Sequence, residues 1–304
     1  IKAALGAANG TLGDQWKEYF YCDSLNDDTL VAKGQKKTSS HFGRSSNSRG
    51  EDDVISNGSL IAVNEGQAMM IVEQGAIVEF SAEPGEFTYD SSSEPSIFTG
   101  DLKEGVKAAF ETFKKRFTFG GDAAKDQRVY YFNTKEIVGS KYGTANPVPF
   151  RVVDKNVGLD VDISIRCNGE YSYKLTNPVL FYKNVCGNVA DVYDRSQIDS
   201  QLKSELLTSL QPAFAKLSEL GIRYSALPGH AQELADALNS ILSTKWKETR
   251  GIEIASFGVN SVTASDEDAA MIKEMQKSGA LRDPSMAAAT LASAQGEAMK
   301  AAAN

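Results

Sequence analysis

Apolar and polar residues alternate over the stretch from position 160 to position 175. One parity carries the apolar side chains, namely Val161, Ile163, Ile165, Cys167, Tyr171, Tyr173 and Leu175. A period of two with one apolar face indicates a half-buried β-strand. The dipeptide Asn168-Gly169 is a hairpin signal, but the alternation continues in phase across it, which favours one long strand over a tight hairpin. Pro178 ends this strand because proline cannot donate to a β-ladder.

Shorter β-prone runs, separated by turns, occupy residues 58–90. Strands are predicted there at 59–63, 68–73, 76–82 and 86–89. Gly66, Gly75 and Gly85 lie in the turns, where a tight connection needs a positive φ. This order predicts a β-meander. Outside it, the enrichment in β-branched and aromatic residues predicts further strands at 30–32, 128–133, 146–154 and 251–259.

Residues 1–22 are predicted to form an amphipathic helix. The apolar stripe steps by three or four positions through Ile1, Leu5, Ala8, Leu12, Trp16 and Phe20. Glycines weaken the intrinsic helicity of this segment, so the helix needs an outside surface to be stable. Two surfaces remain open at this point: a membrane interface in whose plane the helix lies, or its own domain or a neighbouring subunit. Because only Lys2 and Lys17 are basic, electrostatic attraction to anionic lipid is weak.

Helical periodicity returns in three later regions of the chain. Asp101 is a predicted N-cap, and the amphipathic face that follows it extends to Phe117. Two amphipathic helices are predicted between 194 and 247, and Pro212 kinks or divides the first of them. The tail from residue 264 begins with acidic residues that suit a helix N-terminus and continues as an alanine-rich helix. Such a helix buries little area by itself.

Composition and charge narrow the classes of partner. The chain has 304 residues, is 41% hydrophobic and 24% charged, and carries a net charge of -8, so no nucleic-acid partner is expected. Cys22, Cys167 and Cys186 have neither metal-ligand spacing nor an even count for disulfides, which favours reduced thiols and a cytosolic setting. Cys167 falls on the apolar parity and is predicted to be buried. No apolar run reaches the about 18 residues that a membrane-spanning helix needs.

The sequence contains no recognisable catalytic motif. We find no CxxC, HExxH, GxSxG, Walker or GxGxxG pattern. His41 lies in a polar loop without a partner acid, and His230 is followed by Glu233 but has no candidate nucleophile. We therefore predict no catalytic residue, no cofactor site and no metal site, and expect no enzyme activity.

Two separated motifs, in the same order, resemble the SPFH or band 7 domain family, which includes stomatins, prohibitins and flotillins. The first is V-x-E-G-Q-x-x-x-I-V-x-x-G-x-I-V-x-x-x-x-x-P-G-x-F, beginning at Val63. The second is Y-S-Y-K-L-x-N-P-x-x-F-Y, beginning at Tyr171, where the family usually has Asp-Pro in place of Asn177-Pro178. The resemblance spans about residues 58–277. In detail it is similar to a bacterial subgroup labelled "virion core protein-like".

The resemblance implies an α+β fold. It consists of an SPFH domain with an antiparallel-rich β-sheet and packed helices, preceded by the N-terminal amphipathic helix and followed by a C-terminal alanine-rich helical extension. The predicted segments are the helix at 1–22, an irregular segment at 23–57, the SPFH domain at 58–263 and the helical extension at 264–304.

The resemblance also implies a non-catalytic, membrane-associated scaffold that forms a large homo-oligomeric ring or cage. The implied partners are further copies of the chain, membrane lipid through the N-terminal helix, and a phage-shock-type, ESCRT-III-like protein in an envelope-stress response. The implied location is the cytoplasmic, inner face of the cell membrane. The residues predicted to contact lipid or a neighbouring subunit are Leu5, Leu12, Trp16, Tyr19 and Phe20.

The main alternative is a soluble oligomeric shell or adaptor that binds proteins and not lipid. In that case the stripe of residues 1–22 is buried between subunits instead of facing a membrane. A third hypothesis, a regulatory partner of a membrane protease, is disfavoured because relatives of that type usually carry a transmembrane helix.

Overall fold

The chain forms two compact units, each built from separate segments. The computed structural model describes residues 18–37, 55–90, 96–102, 105–114, 126–154, 159–280 and 284–302. Unit 1 comprises residues 1–138, 173–201 and 243–253. Unit 2 comprises residues 139–172, 202–242 and 254–304. The segment predicted as one SPFH domain, residues 58–263, is therefore divided between the two units.

Strands account for much of the described chain. In chain order they are β1 (Tyr19–Tyr21), β2 (Thr29–Lys33), β3 (Gln35–Lys37), β4 (Leu60–Val63), β5 (Gln67–Glu73), β6 (Ala76–Ser81), β7 (Gly85–Thr88), β8 (Ser96–Phe98), β9 (Gln127–Asn133), β10 (Ile137–Gly143), β11 (Val148–Asp154), β12 (Leu159–Leu175), β13 (Val192–Asp194) and β14 (Ile252–Ala264).

Helices lie mainly in the second half of the chain. They are α1 (Gly105–Lys114), α2 (Pro178–Phe181), α3 (Asp199–Glu219), α4 (Ala231–Leu242), α5 (Asp266–Ala280) and α6 (Pro284–Ala302). Two π-helical turns, Tyr182–Cys186 and Thr244–Arg250, follow α2 and α4. Short 3₁₀ turns precede α3 and α4. These elements, with the strands, confirm the predicted α+β class.

Unit 1 contains two sheets. One has the strand order β3-β1-β4-β7, and the other has the order β13-β2-β9-β5-β6-β8. The strands predicted between 58 and 90 are confirmed, but the simple meander is wrong, because β4 and β7 pair with each other while β5 and β6 lie in the other sheet. The sheet that contains β4 and β7 also includes β1. This strand pairs in parallel with β4, although the two strands lie about 40 residues apart in the sequence.

The inner faces of the two unit 1 sheets share a core. It includes Phe20 from β1, Ile61 from β4, Ile71 from β5 and Tyr131 from β9, all less than 5% exposed. Alternation along β1 and β4 places these side chains inward and their neighbours outward.

Unit 2 is organised around β12, which runs unbroken for 17 residues. The predicted single strand is confirmed, and its apolar parity is buried from Ile163 to Leu175. Gly169 is therefore not a turn residue: a Cβ there would lie 2.0 Å from the carbonyl oxygen of Gly258 on β14. The glycine allows β14 to approach β12 closely.

Several local predictions need correction. Pro212 does not divide the first long helix, since α3 continues through it from Asp199 to Glu219. Residues 96–98 form strand β8 and residues 137–143 form strand β10, and neither strand was predicted from the sequence. α1 confirms a helix in the 101–117 region, but Asp101 lies in a turn before its described start.

Candidate membrane and self-association surfaces

The N-terminal segment enters unit 1 through an interior strand. Tyr19, Phe20 and Tyr21 form β1, between β3 and β4, so the helix predicted for residues 1–22 is wrong over its last residues. Phe20 is 4% exposed and packs in the core of its own unit. It is thus inaccessible to lipid or a second copy, which corrects the prediction of a contact role for this residue. Leu5, Leu12 and Trp16 lie outside the described residues, and their contact roles stay predictions.

Tyr19 points to the opposite side of the sheet from Phe20, as strand alternation requires. It is half-buried, as is Tyr21 on the same face. The register places Tyr19 between Lys37 of β3 and Leu60 of β4. We call this surface the tyrosine face, and its residues are Tyr19, Tyr21, Lys37, Leu60, Ala62, Glu86 and Thr88.

The chemistry of the tyrosine face suits a boundary between an apolar and an aqueous phase. The Tyr19 hydroxyl donates to Glu86 Oε1 at 3.4 Å, and the Lys37 ammonium lies 5.3 Å from the centre of the Tyr21 ring. Burial, together with the Glu86 carboxylate, raises the pKa of the Tyr19 phenol, which stays neutral at physiological pH. Neutral phenols with apolar rings and polar tips are typical of the interfacial belt of membrane proteins.

The loop after β1 is held to unit 1 by side chains that donate to its main-chain carbonyl groups. These bonds are Asn64 Nδ2 to Cys22 O (3.0 Å), Gln67 Nε2 to Asp23 O (2.9 Å), Lys135 Nζ to Leu25 O (2.5 Å) and Asn133 Nδ2 to Asn26 O (2.9 Å). These bonds fix the chain directly after β1 to the rest of unit 1.

The C-terminal extension begins with a helix that is anchored to β12. Ser265 Oγ accepts from the Asp268 amide at 3.0 Å, which caps α5, and the Asp268 carboxylate accepts from the Ser164 amide of β12 at 3.0 Å. Ile272 of α5 is 8% exposed. The acidic start predicted for this helix is confirmed, and one of its carboxylates ties the extension to the sheet of unit 2.

α6 continues this extension and is uncovered wherever its side chains are described. Residues 288, 289 and 291–301 are all exposed, and Leu291 and Met299 expose 64% and 75% of their surface. The helix carries only two charged residues, Glu297 and Lys300. A sparsely charged, alanine-rich helix allows close approach of another helix, because its side chains are small. α6 is therefore the second candidate surface.

The three cysteines are structural. Cys22 and Cys167 are buried and Cys186 is half-buried. Burial, joined for Cys22 by the Asp23 carboxylate, raises the pKa of the Cys22 and Cys167 thiols to about 11. The same effect raises the pKa of Cys186 to about 12. The predicted burial of Cys167 is confirmed, and all three thiols stay neutral at physiological pH.

We expect iodoacetamide to alkylate Cys22 and Cys167 of the folded protein at least about 100-fold more slowly at pH 8 than the same residues in urea, because a thiol pKa two units above its usual value lowers the thiolate fraction about 100-fold. The raised pKa of Cys22 and Cys167 also makes the stability of the fold depend on pH. The contribution of the two neutral thiols to the free energy of unfolding is fully present below pH 9 and is lost as the pH rises towards 11. Mass spectrometry of timed aliquots measures the rates. Equal rates in the folded and unfolded states would contradict this assignment.

The described residues contain no group of His, Cys, Asp and Glu side chains that could hold a metal ion. His230 Nδ1 lies 3.0 Å from Glu233 Oε1 at the start of α4, where both side chains are partly exposed. The pair lowers the pKa of the Glu233 carboxyl and suits a helix entrance. His41 lies outside the described residues.

Comparison with models of known protein families identifies the family of this chain. A model described as the SPFH domain-Band 7 family matches residues 48–282, which is more than half of the 304 residues. The chain belongs to the SPFH domain-Band 7 family. The match confirms the resemblance carried by the two motifs and extends it on both sides. No curated protein matches this band 7 chain, and the assignment to the bacterial subgroup stays a prediction.

Sequence reasoning missed most of the tyrosine face. Tyr19 was a candidate, but Lys37 and Leu60 come from strands whose pairing with β1 has no local signal. Glu86 comes from β7, which reaches this face by pairing with β4. The alternation of Leu60, Ile61, Ala62 and Val63 is also obscured, since all four residues are apolar. Among the described helices of this band 7 protein, none is both long and apolar enough to cross a membrane.

Proposed function

We propose that this band 7 protein is a non-catalytic, homo-oligomeric scaffold that associates with a membrane surface and organises lipid and protein there. The family is generally membrane-associated and scaffold-like. The observation that carries the proposal for this chain is the tyrosine face, which lies on the same strand through which the N-terminal segment enters unit 1.

The tyrosine face and the predicted apolar stripe lie close together along the chain. Trp16 precedes Tyr19 by three residues, a span of at most about 10 Å in an extended chain. Both contribute aromatic residues, and the net charge of -8 disfavours attraction to anionic lipid. We therefore expect the protein to bind membranes by burying apolar side chains. Because salt screens charges and not apolar contacts, this binding should change little with salt concentration.

Self-association is supported by α6. A 19-residue helix is about 28 Å long, and most of the stability of a helix in a protein comes from packing against other elements. Packing against copies of itself would stabilise it. Many weak membrane contacts, held together in one assembly, give a much higher affinity than a single copy has.

Exchange of Leu12→Glu together with Trp16→Glu is expected to release the protein from membranes. Membrane binding would then place two carboxylates in the apolar part of the interface. The free-energy cost of removing these charges from water is larger than the gain from burying the remaining apolar side chains. Co-sedimentation with liposomes of neutral phosphatidylcholine, with light scattering of the free protein, measures the effect. We expect the bound fraction to fall at least about tenfold.

The matched control places the same charges on the polar face of the stripe. Asn9→Glu with Thr11→Glu should bind liposomes like the wild type. Unchanged sedimentation of the Leu12→Glu, Trp16→Glu protein would overturn membrane contact through this segment. If the wild type formed a large assembly that ignored liposomes, the soluble shell or adaptor would replace the membrane scaffold.

The finer parts of the proposal come from the resemblance. They are the ring or cage shape, a location on the cytoplasmic face of the cell membrane, and recruitment of an ESCRT-III-like protein in an envelope-stress response. Negative-stain images of the protein on liposomes would test the shape.

A further inference from the structure

The C-terminal half of β14 is an edge without a partner strand in the described part of the chain. There, β14 pairs only with β12. Residues 257–264 have the sequence FGVNSVTA, with no charge and no proline. Asn260, Ser261 and Thr263 are exposed, and Val262 is only half-buried, so neither face of this strand end is covered. Such an edge presents a row of main-chain donors and acceptors.

The other strands that pair with β12, namely β10 and β11, are guarded, and β10 carries Lys141. β11 contains Pro149, which has no N–H to offer, and the Ser218 hydroxyl of α3 donates to the carbonyl oxygen of Arg151. The N-terminal half of β14 is guarded too. Asn239 of α4 bonds both main-chain groups of Ile254, accepting from its amide and donating to its carbonyl oxygen at 2.9 Å each.

The edges of unit 1 are blunted in other ways. β8 and β13 are only three residues long, and β3 carries Lys36 and Lys37. β7, the fourth edge strand, has only four residues and carries Glu86. Short strands and lysines are the usual means by which proteins prevent pairing between sheet edges. Against this background, the uncharged end of β14 stands out as an edge left open.

We propose that residues 260–264 of β14 pair antiparallel with the same residues of a second copy, which joins two unit 2 sheets across a two-fold axis. In the register centred on Val262, Ser261 of one copy lies opposite Thr263 of the other. Each side then presents hydroxyl groups to hydroxyl groups and a β-branched residue at the axis. The contact is self-complementary, as a two-fold interface requires.

Charge favours a second copy as the occupant. At a net charge of -8, most contacts between copies bring like charges together, whereas this segment brings none. Five paired residues extend about 17 Å. The surface area that such a short contact buries is well below the about 1,200 Å² of a stable protein–protein interface. The pairing is therefore weak by itself, and it becomes stronger where other contacts already hold the copies close together. The inference thus deepens, and for its physiological role rests on, the proposed self-association.

A charge exchange at the two facing positions tests the pairing in solution. Ser261→Lys with Thr263→Lys places lysines opposite lysines, and Ser261→Glu with Thr263→Glu places carboxylates opposite carboxylates. We expect each variant alone to dimerise at least about tenfold more weakly than the wild type, and an equimolar mixture of the two to regain dimers of mixed composition. Sedimentation velocity over a concentration series gives the constants, and mass spectrometry after cross-linking gives the composition.

The control is Ser204→Lys with Gln211→Lys, which adds the same charge to the exposed side of α3 and should dimerise like the wild type. Thermal melts check that all variants are folded, and recovery in the mixture excludes loss of fold as the cause. Dimerisation of both variants at the wild-type level, absence of any wild-type dimer, or a mixture that stays monomeric would each overturn the pairing. Because no lipid is present, failure here is distinct from failure of membrane binding.

Discussion

Gly169→Ala is expected to destabilise unit 2 strongly. Its Cβ would lie 2.0 Å from the oxygen and 2.9 Å from the carbon of the Gly258 carbonyl group. Tyr142 leaves no room for movement, since its hydroxyl donates to that oxygen at 3.0 Å and its ring stacks on Phe257 at 4.7 Å. β12 and β14 would have to separate, which breaks their ladder. We expect a loss of about 3 kcal/mol in the free energy of unfolding.

Urea denaturation monitored by circular dichroism measures this loss, and Gly143→Ala on β10 is the matched control. The added methyl group there would meet only the Cβ of Asn168, at 3.7 Å, which is an ordinary contact. The control should change stability by less than about 0.5 kcal/mol. A Gly169→Ala protein as stable as this control would show that the two strands are not in close contact.

Asp199→Ala is expected to cost unit 1 about 2 kcal/mol. The Asp199 carboxylate accepts from Arg195 Nε at 2.7 Å and from the Tyr173 hydroxyl at 2.8 Å. The Arg195 side chain is only 12% exposed, and its Nη1 donates to Val138 O at 2.7 Å. Removal of the carboxylate takes one charged hydrogen-bond partner from the largely buried Arg195 guanidinium and one acceptor from the Tyr173 phenol.

An exposed pair of the same chemistry provides the control. Arg151 and Asp160 form two hydrogen bonds at 2.8 and 2.7 Å, but both side chains are more than half exposed. Solvent screening makes such a pair worth little, so Asp160→Ala should leave the unfolding transition almost unchanged. Equal effects of the two exchanges in urea would mean that burial does not strengthen the Asp199 interactions. Tyr173→Phe, alone and with Asp199→Ala, separates the phenol contribution by a double-mutant cycle.

Sequence patterns identified elements well where a residue's role depends on its neighbours in the chain. The alternation in β12 predicted a single strand, and apolar spacing predicted α3 and α4. Strand β10 was missed because Gly139 and Gly143 suggest a turn, although only Gly139 adopts a positive φ. The prediction that the N-terminal helix extends to residue 22 was wrong, because residues 19–21 form a strand. So few aromatic residues are compatible both with the last turn of an amphipathic helix and with a three-residue strand.

The sequence by itself determined the family, the α+β class, the long strand, the low charge of α6 and the lack of charge at the end of β14, since these depend on local order and composition. The tertiary structure alone decided that Phe20 is buried while Tyr19 reaches the surface, because β1 pairs with strands far along the chain. It likewise decided that Gly169 serves close packing instead of a turn. Pairing and burial are set by residues that are distant in sequence, and a periodic pattern contains no information about which distant partner a face will meet.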